Sequence, residues 1–187
     1  MGKTMTLRGE LDMQFGRSST FGEAREHQIF QYESPDRQRG WRVKYACVWV
    51  QEVYNTGAGD GRTIGVYSLA TDTLGPVQIT DGDTAKEWLG RMGASDNRTI
   101  GWNTQDYQQR DNVDADFIMP TGGMRPQCEF ILDEDRILTN QLWIQSYGLT
   151  EETNLSTKLN YYVVLEALKI TPSESVLQQL KGMGQDV

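Results

Sequence analysis

The sequence predicts an all-β fold, an antiparallel β-sandwich of about eight strands with a short C-terminal helix, and three observations carry that expectation. From Trp41 to Val53, large apolar or aromatic groups recur at Trp41, Val43, Tyr45, Cys47, Trp49 and Val53. Successive side chains of a strand point to opposite faces, so this period of two gives one continuous apolar face. The same period returns where Leu159, Tyr161, Val163 and Leu165 alternate with Asn160, Tyr162, Val164 and Glu166. Turn-forming clusters separate such segments, and helical periodicity is scarce.

Taken in order, Met5, Leu7, Leu11, Met13 and Phe15 alternate with polar residues and suggest a first strand. Gly16 to Arg25 is small and polar, and Gln28 to Tyr32 reads as a short strand. Ser34-Pro35-Asp36 is turn chemistry, because Pro fixes φ and Asp bonds its own backbone. The strand from Trp41 ends at the glycine-containing loop Asn55–Gly61, whose flexibility suits a hairpin tip. Arg62–Ala70 resumes a strand, Val77–Thr80 is a short one, and Asp83 is placed to cap a brief helix through Ala85, Trp88 and Leu89. Ile100–Tyr107 forms another strand; Asp111–Asp116 is an acidic loop and Pro120–Pro126 a second breaker cluster. Cys128–Leu132, Arg136–Tyr147 and Lys158–Ile170 supply three more strands. At the end, Thr171 as N-cap, Pro172 as first helical residue and Glu174 three residues after the cap form a capping box. Val176, Leu177 and Leu180 make that helix's apolar stripe, and Gly182 is placed to end it within 171–183.

The chain of 187 residues reads as one domain, 1–187, with 1–27 as an N-terminal arm. It is long enough to bury roughly 70% of its unfolded surface without a disulfide or metal. A net charge of −8 argues against non-specific nucleic-acid binding, and the cluster Arg37, Arg39, Arg42 and Lys44 reads as a loop flank offset by Asp36. Cys47 and Cys128 are the only cysteines; each lies in an apolar strand pattern, where a thiol behaves as a small hydrophobe, and one disulfide is all they allow. The first residues lack the apolar core of a secretory signal, and no stretch has the roughly 18–20 apolar residues of a membrane span.

Chemical motifs are weak. His27, the single histidine, has no nucleophile or ligand set at a recognised spacing, so a surface or structural role is expected. Glu129 and Glu166 lie on candidate strands, but a retaining glycosidase needs its two carboxyls about 5–5.5 Å apart. Asp81 with Asp83, Asp111 with Asp114 and Asp116, and Asp133 with Glu134 and Asp135 are acidic turns without EF-hand spacing. Trp41 and Trp49 are expected in the core; Trp88, Trp102 and Trp143 sit in more polar surroundings, suited to core, interface or sugar stacking. Gly57–Gly61 and Thr121–Gly123 lack the lysine and the helix start of a phosphate loop. Asn97-Arg98-Thr99 and Asn154-Leu155-Ser156 match the glycosylation pattern. No catalytic residue, metal site or cofactor is expected.

The series of strands, together with Asp133-Glu-Asp-Arg-Ile-Leu-Thr-Asn-Gln-Leu-Trp-Ile144 leading to Leu159-Asn-Tyr-Tyr-Val-Val-Leu-Glu166, resembles the jelly-roll structural proteins of virus or phage particles. That resemblance implies a non-enzymatic virion component, capsid or minor and decorating, made in a host cytoplasm. It implies a homo-oligomer that also meets other virion proteins; without a basic arm, direct nucleic-acid contact is not expected. Irregular segments 16–25 and 146–157 would then be ordered by neighbouring copies. Candidate interface residues are Met5, Leu7, Leu11, Met13 and Phe15, Trp143, and Val176, Leu177 and Leu180, for each of which ordinary core packing is the rival. The rival function is a carbohydrate- or receptor-binding β-sandwich that stacks sugars on Trp88, Trp102 or neighbouring tyrosines.

Overall fold

The computed structural model describes residues 3–17, 21–33, 38–50, 62–73, 75, 79–109, 118–120, 128–150 and 155–182. In chain order these form strands β1 (Thr4–Arg17), β2 (Glu23–Gln31), β3 (Arg39–Val50) and β4 (Arg62–Ala70), then helix α1 (Gly82–Arg91). They continue with β5 (Thr99–Gln109), the short β6 (Ile118–Pro120) and β7 (Ile131–Leu132), then β8 (Gln141–Thr150), β9 (Leu155–Lys169) and helix α2 (Pro172–Gly182).

Pairing is nested. β1 runs antiparallel to β9, β2 to β8, and β4 to β5. The free edge of β3 takes the 128–138 segment through bridges Cys47–Glu129 and Trp41–Leu138. β9 also pairs with β3, and β8 with β4. One sheet is therefore β1-β9-β3 plus that segment, and the other β2-β8-β4-β5, extended by β6 and β7 on β5. Gly16 and Arg17 join the two by pairing parallel with Leu149 and Thr150. A long hairpin wound so that first pairs with last and second with next-to-last is a jelly roll.

The strands differ in extent from their sequence outlines. β2 begins at Glu23, and β8 begins only at Gln141 because Asp133–Asn140 is turn and a lone bridge, not strand. Cys128–Leu132 reduces to the Glu129 bridge and β7. The 146–150 part of the expected irregular segment is strand; Asn55–Gly61, Asp111–Asp116 and Thr121–Gly123 lie outside the described residues, as do 76–78. The stretch expected as an arm is β1 and the start of β2.

The largest correction concerns β3. Its register against β9 shifts between Val43 and Tyr45, so Lys44 is an extra, bulged residue and the face of every later side chain inverts. Trp41 and Val43 face the core before the bulge, and Ala46, Val48 and Val50 face it afterwards. Tyr45, Cys47 and Trp49 turn outward, and Trp49 is 39% exposed although the alternation predicted core.

Between the sheets lie Phe15, Val48, Leu69, Leu142, Ile144, Val163 and Leu165, all fully buried. One end of this interior is polar and satisfied. Gln105 Nε2 donates to the Val48 carbonyl across the sandwich at 2.8 Å and to Asn103 Oδ1 at 3.0 Å, while Gln105 Oε1 accepts from the Tyr107 hydroxyl. Asn103 Nδ2 donates to the Glu129 carbonyl at 2.8 Å. Burial pushes Tyr107 up to about 12 and Tyr67, whose hydroxyl meets that of Tyr107 at 3.4 Å, well above the usual tyrosine value. Both stay neutral donors, as a buried network requires.

The cap of helix α1 lies two residues before the expected one. Asp81, not Asp83, receives the backbone N–H groups of Asp83 and Thr84, and the Thr84 hydroxyl oxygen accepts from the Asp81 N–H. The helix lies over the outer face of the second sheet, where Ala85, Trp88 and Met92 pack on Tyr147 to form a second small core.

Candidate interaction surface

Helix α2 is fixed at both ends. Glu174 Oε2 accepts from the Thr171 N–H at 2.7 Å and from its hydroxyl at 2.9 Å, and Thr171 Oγ1 accepts from the Glu174 N–H at 3.2 Å, as the capping box predicted. These bonds hold the Glu174 carboxyl below its usual pKa. At the other end the buried Arg136 guanidinium donates to the Lys181 carbonyl at 3.0 Å, a cation at the negative end of the helix dipole. Desolvation draws Arg136 below the usual arginine value, partly offset by the charge of Asp133.

The helix so held is inverted. Ser175 is buried and Gln178 and Gln179 are half-buried, whereas Val176, Leu177 and Leu180 are 40%, 52% and 60% exposed. At 100° per residue those two sets occupy opposite sides of the helix. A surface helix ordinarily hides its apolar stripe. Here the polar side covers an open groove of about 350 Å³ lined by Thr71, Asp72, Ile137, Thr139 and Asn140 as well as Gln178 and Gln179. The apolar stripe faces solvent.

The bulge in β3 builds a second surface. On the outer face of the first sheet, Tyr45 is paired with Val164 and Trp49 with Asn160 of β9, and Tyr162 lies between them opposite Cys47. Tyr45 and Tyr162 meet edge to face at 6.1 Å, and Tyr162 is 37% exposed. The Tyr45 hydroxyl donates to Glu129 Oε1 at 3.3 Å; burial, then contact with Cys47, raises its pKa.

The remaining sequence candidates divide between interior and surface. Met13 and Phe15 are core, and Met5, Leu7 and Leu11 pack against it half-buried, all on the inner side of β1. Trp88 is 2% exposed beneath α1, which removes it as a sugar platform. Trp102 and Trp143 are half-buried, and neither buried indole N–H finds an acceptor among the described residues. His27 Nε2 lies 3.0 Å from the Asp12 carbonyl oxygen. Glu129 faces Cys47, which faces Tyr162, and Glu166 lies four residues farther along β9, or about 13 Å. That places the two carboxylates' backbones well beyond a retaining pair's separation. Thr99 of the first glycosylation pattern is buried and donates its hydroxyl to the Arg91 carbonyl at 2.9 Å. Asp83 pairs with Lys86, and Asp133 Oδ1 accepts from the Asp135 N–H at 3.1 Å. Among the described residues no three His, Cys, Asp or Glu gather as metal ligands, and no helix is long and apolar enough to cross a membrane.

The outward direction of α2 and the aromatic ledge of Tyr45, Trp49 and Tyr162 were not visible in the sequence. A helical stripe says which residues share a side, not which side meets the core. A bulge of ordinary residues leaves no composition signal.

No protein-family model matches the sequence, and no curated protein does either. Solved structures similar to it include chimpanzee polyomavirus VP1, at 8% identity and TM-score 0.41, covering 90% of this chain and 100% of that one. A virus-like particle of the Macrobrachium rosenbergii nodavirus matches at 14% identity and TM-score 0.35, covering 91% and 96%. Mud crab tombus-like virus matches at 9% identity and TM-score 0.38, covering 96% and 88%. All three of these solved structures come from viruses.

Proposed function

We propose that this chain is a structural protein of a virus particle, without enzymatic activity, that assembles with copies of itself through the outward stripe of α2. The observation that carries this reading is the inversion of α2: a helix capped at Thr171 and held at Lys181 presents Val176, Leu177 and Leu180 to water. Such a stripe is stabilised when a second copy covers it, since burying each leucine contributes about 1.5–3 kcal/mol. The net charge of −8 disfavours non-specific nucleic-acid binding as the rival use of the surface. The capsid, minor and decorating roles differ in which neighbours the stripe meets, and the location is the virion.

The test is solution mass by light scattering across a concentration series, with negative-stain imaging of the same sample, on the parent and a Leu177→Glu/Leu180→Glu variant. The parent is expected to form closed or discrete assemblies and the variant to remain a folded monomer. A parent that stays monomeric at every concentration overturns the proposal.

A second reading rests on the exposed Trp49 and Tyr162. Two aromatic rings on one sheet face suit stacking on sugars, as in a glycan- or receptor-binding module. It predicts tryptophan fluorescence changes on sugar titration that Trp49→Phe abolishes; a flat glycan array sinks it.

A further inference from the structure

We propose that Cys47 and Cys128 are a peroxide-sensitive pair that closes into a disulfide, stapling β3 to the 128–138 segment. The thiols are brought together by the ladder itself. Val48 donates its N–H to the Cys128 carbonyl at 2.9 Å, and Phe130 donates to the Ala46 carbonyl at 3.0 Å. Those two bonds frame Cys47 and Glu129 as a closely spaced antiparallel pair, with α-carbons about 4.5 Å apart. Cys128 is one residue along, which sets its α-carbon about 5.6 Å from that of Cys47. Disulfides form across 4.4–6.8 Å. Cys128 is the first residue of this bridged segment, and its thiol lies close enough to Cys47 for the two to interact electrostatically.

The surroundings favour oxidation over the alternatives. Cys47 lies on the outer side of β3 yet is only 7% exposed, while Cys128 is partly exposed. Burial is the largest cause pushing the Cys47 thiol up to about 11, so it is not the group that meets an oxidant first. The donors are also wrong for a metal, because no third His, Cys, Asp or Glu completes a ligand set among the described residues.

The chemistry balances in two steps. The Cys128 sulfur attacks hydrogen peroxide, the O–O bond breaks, and a sulfenic acid and one water form. The Cys47 sulfur then displaces hydroxide from that sulfenic sulfur; the thiol proton joins the hydroxide as a second water, and the S–S bond remains. Two thiols are oxidised and one peroxide is reduced. A thiol reductant reverses it, so a reducing cytosol keeps the pair open and an oxidising exterior closes it. The closed loop holds β4, α1, β5 and β6. This inference stands independently of any assembly by α2.

The experiment treats the folded full-length chain with hydrogen peroxide and reads free thiols, intact mass, peptide map and Tm. Expected are loss of both thiols, a mass lower by two hydrogens, a Cys47–Cys128 cross-linked peptide, and a Tm higher by about 5–15 °C that dithiothreitol abolishes. The Cys128→Ser variant is expected to keep the Cys47 thiol free under the same treatment. Free thiols that persist, a cross-link between two chains, or Cys128 oxidised to sulfinic acid beside a free Cys47 would each overturn the proposal.

Discussion

Deleting Lys44 tests the inversion of β3 directly. The residue is the one uncompensated position between Val43, opposite Leu165, and Tyr45, opposite Val164. Without it, one half of the strand must slide by a residue. If the second half slides, Ala46, Val48 and Val50 leave the core and Tyr45, Cys47 and Trp49 enter it. Exposing Val48, which is fully buried, costs about 1.5–3 kcal/mol, and Val50 somewhat less. Forcing Tyr and Trp into sites shaped for Ala and Val adds about 1–3 kcal/mol each by overpacking. The hydroxyl and indole N–H brought in without acceptors cost about 1–3 kcal/mol each. The sum is on the order of 10 kcal/mol, comparable to the whole stability of a domain at about 5–15 kcal/mol. If the first half slides instead, Trp41 and Val43 are expelled, with a similar penalty. Lys44→Ala is the control: it keeps the residue count and removes only a half-exposed ammonium 3.9 Å from Glu166, worth less than about 1 kcal/mol. Urea unfolding followed by tryptophan fluorescence separates the two. The deletion variant is expected to be insoluble or unfolded, and the alanine variant to match the parent within about 1 kcal/mol. A soluble deletion variant with the parent's midpoint and slope would refute the bulge.

Two further predictions address the interior and the helix cap. Gln105→Leu removes the bond across the sandwich to Val48 and leaves the Tyr107 hydroxyl only its long contact with Tyr67, so it is expected to cost about 2–4 kcal/mol in the same unfolding assay; a neutral result would mean the network is dispensable. The Glu174 carboxyl is held below its unfolded value of 4.5 by the backbone and hydroxyl of Thr171. A lowered folded pKa means the cap's contribution is complete above the unfolded value and is lost as pH falls through the folded one. NMR titration is expected to give a Glu174 midpoint below 4.5, with the Thr171 amide shift following it and Glu174→Gln abolishing that response; an unshifted midpoint would contradict the cap.

The β class was legible because alternation depends only on the pleat of a strand, and Leu159, Tyr161, Val163 and Leu165 do line the core. So was α2, since Thr171, Pro172 and Glu174 satisfy local backbone groups without help from the rest of the chain. Trp49 was misplaced because alternation holds only while pairing is uninterrupted, and the interruption at Lys44 is decided by the partner strand. Asp83 was mistaken for the cap because the reciprocal partner of Asp81 is Thr84, where Glu or Gln is the commoner signal. Trp88 looked polar by its neighbours; only the packing of α1 over Tyr147 makes it core. At the candidate surface, the membership of the α2 stripe was legible and its direction was not. Helical spacing carries no information about what lies beneath the other side.

The nesting of the strands also sets a timetable. Thr4 finds its partner in Glu166, so β1 is completed only once β9 has been made. At about 5–20 residues per second, a ribosome needs roughly 8–30 seconds to travel between them. For all of that interval Met5, Leu7, Leu11, Met13 and Phe15 have no β9 to lie against. The inner pair β4–β5 can close on the emerging chain long before the outer one. The apolar edge of β1 is consequently the part most exposed to wrong partners during synthesis, in a polysome crowded with identical nascent chains. Under the proposed self-assembly, the wait at β1 separates correct association after folding from premature association before it.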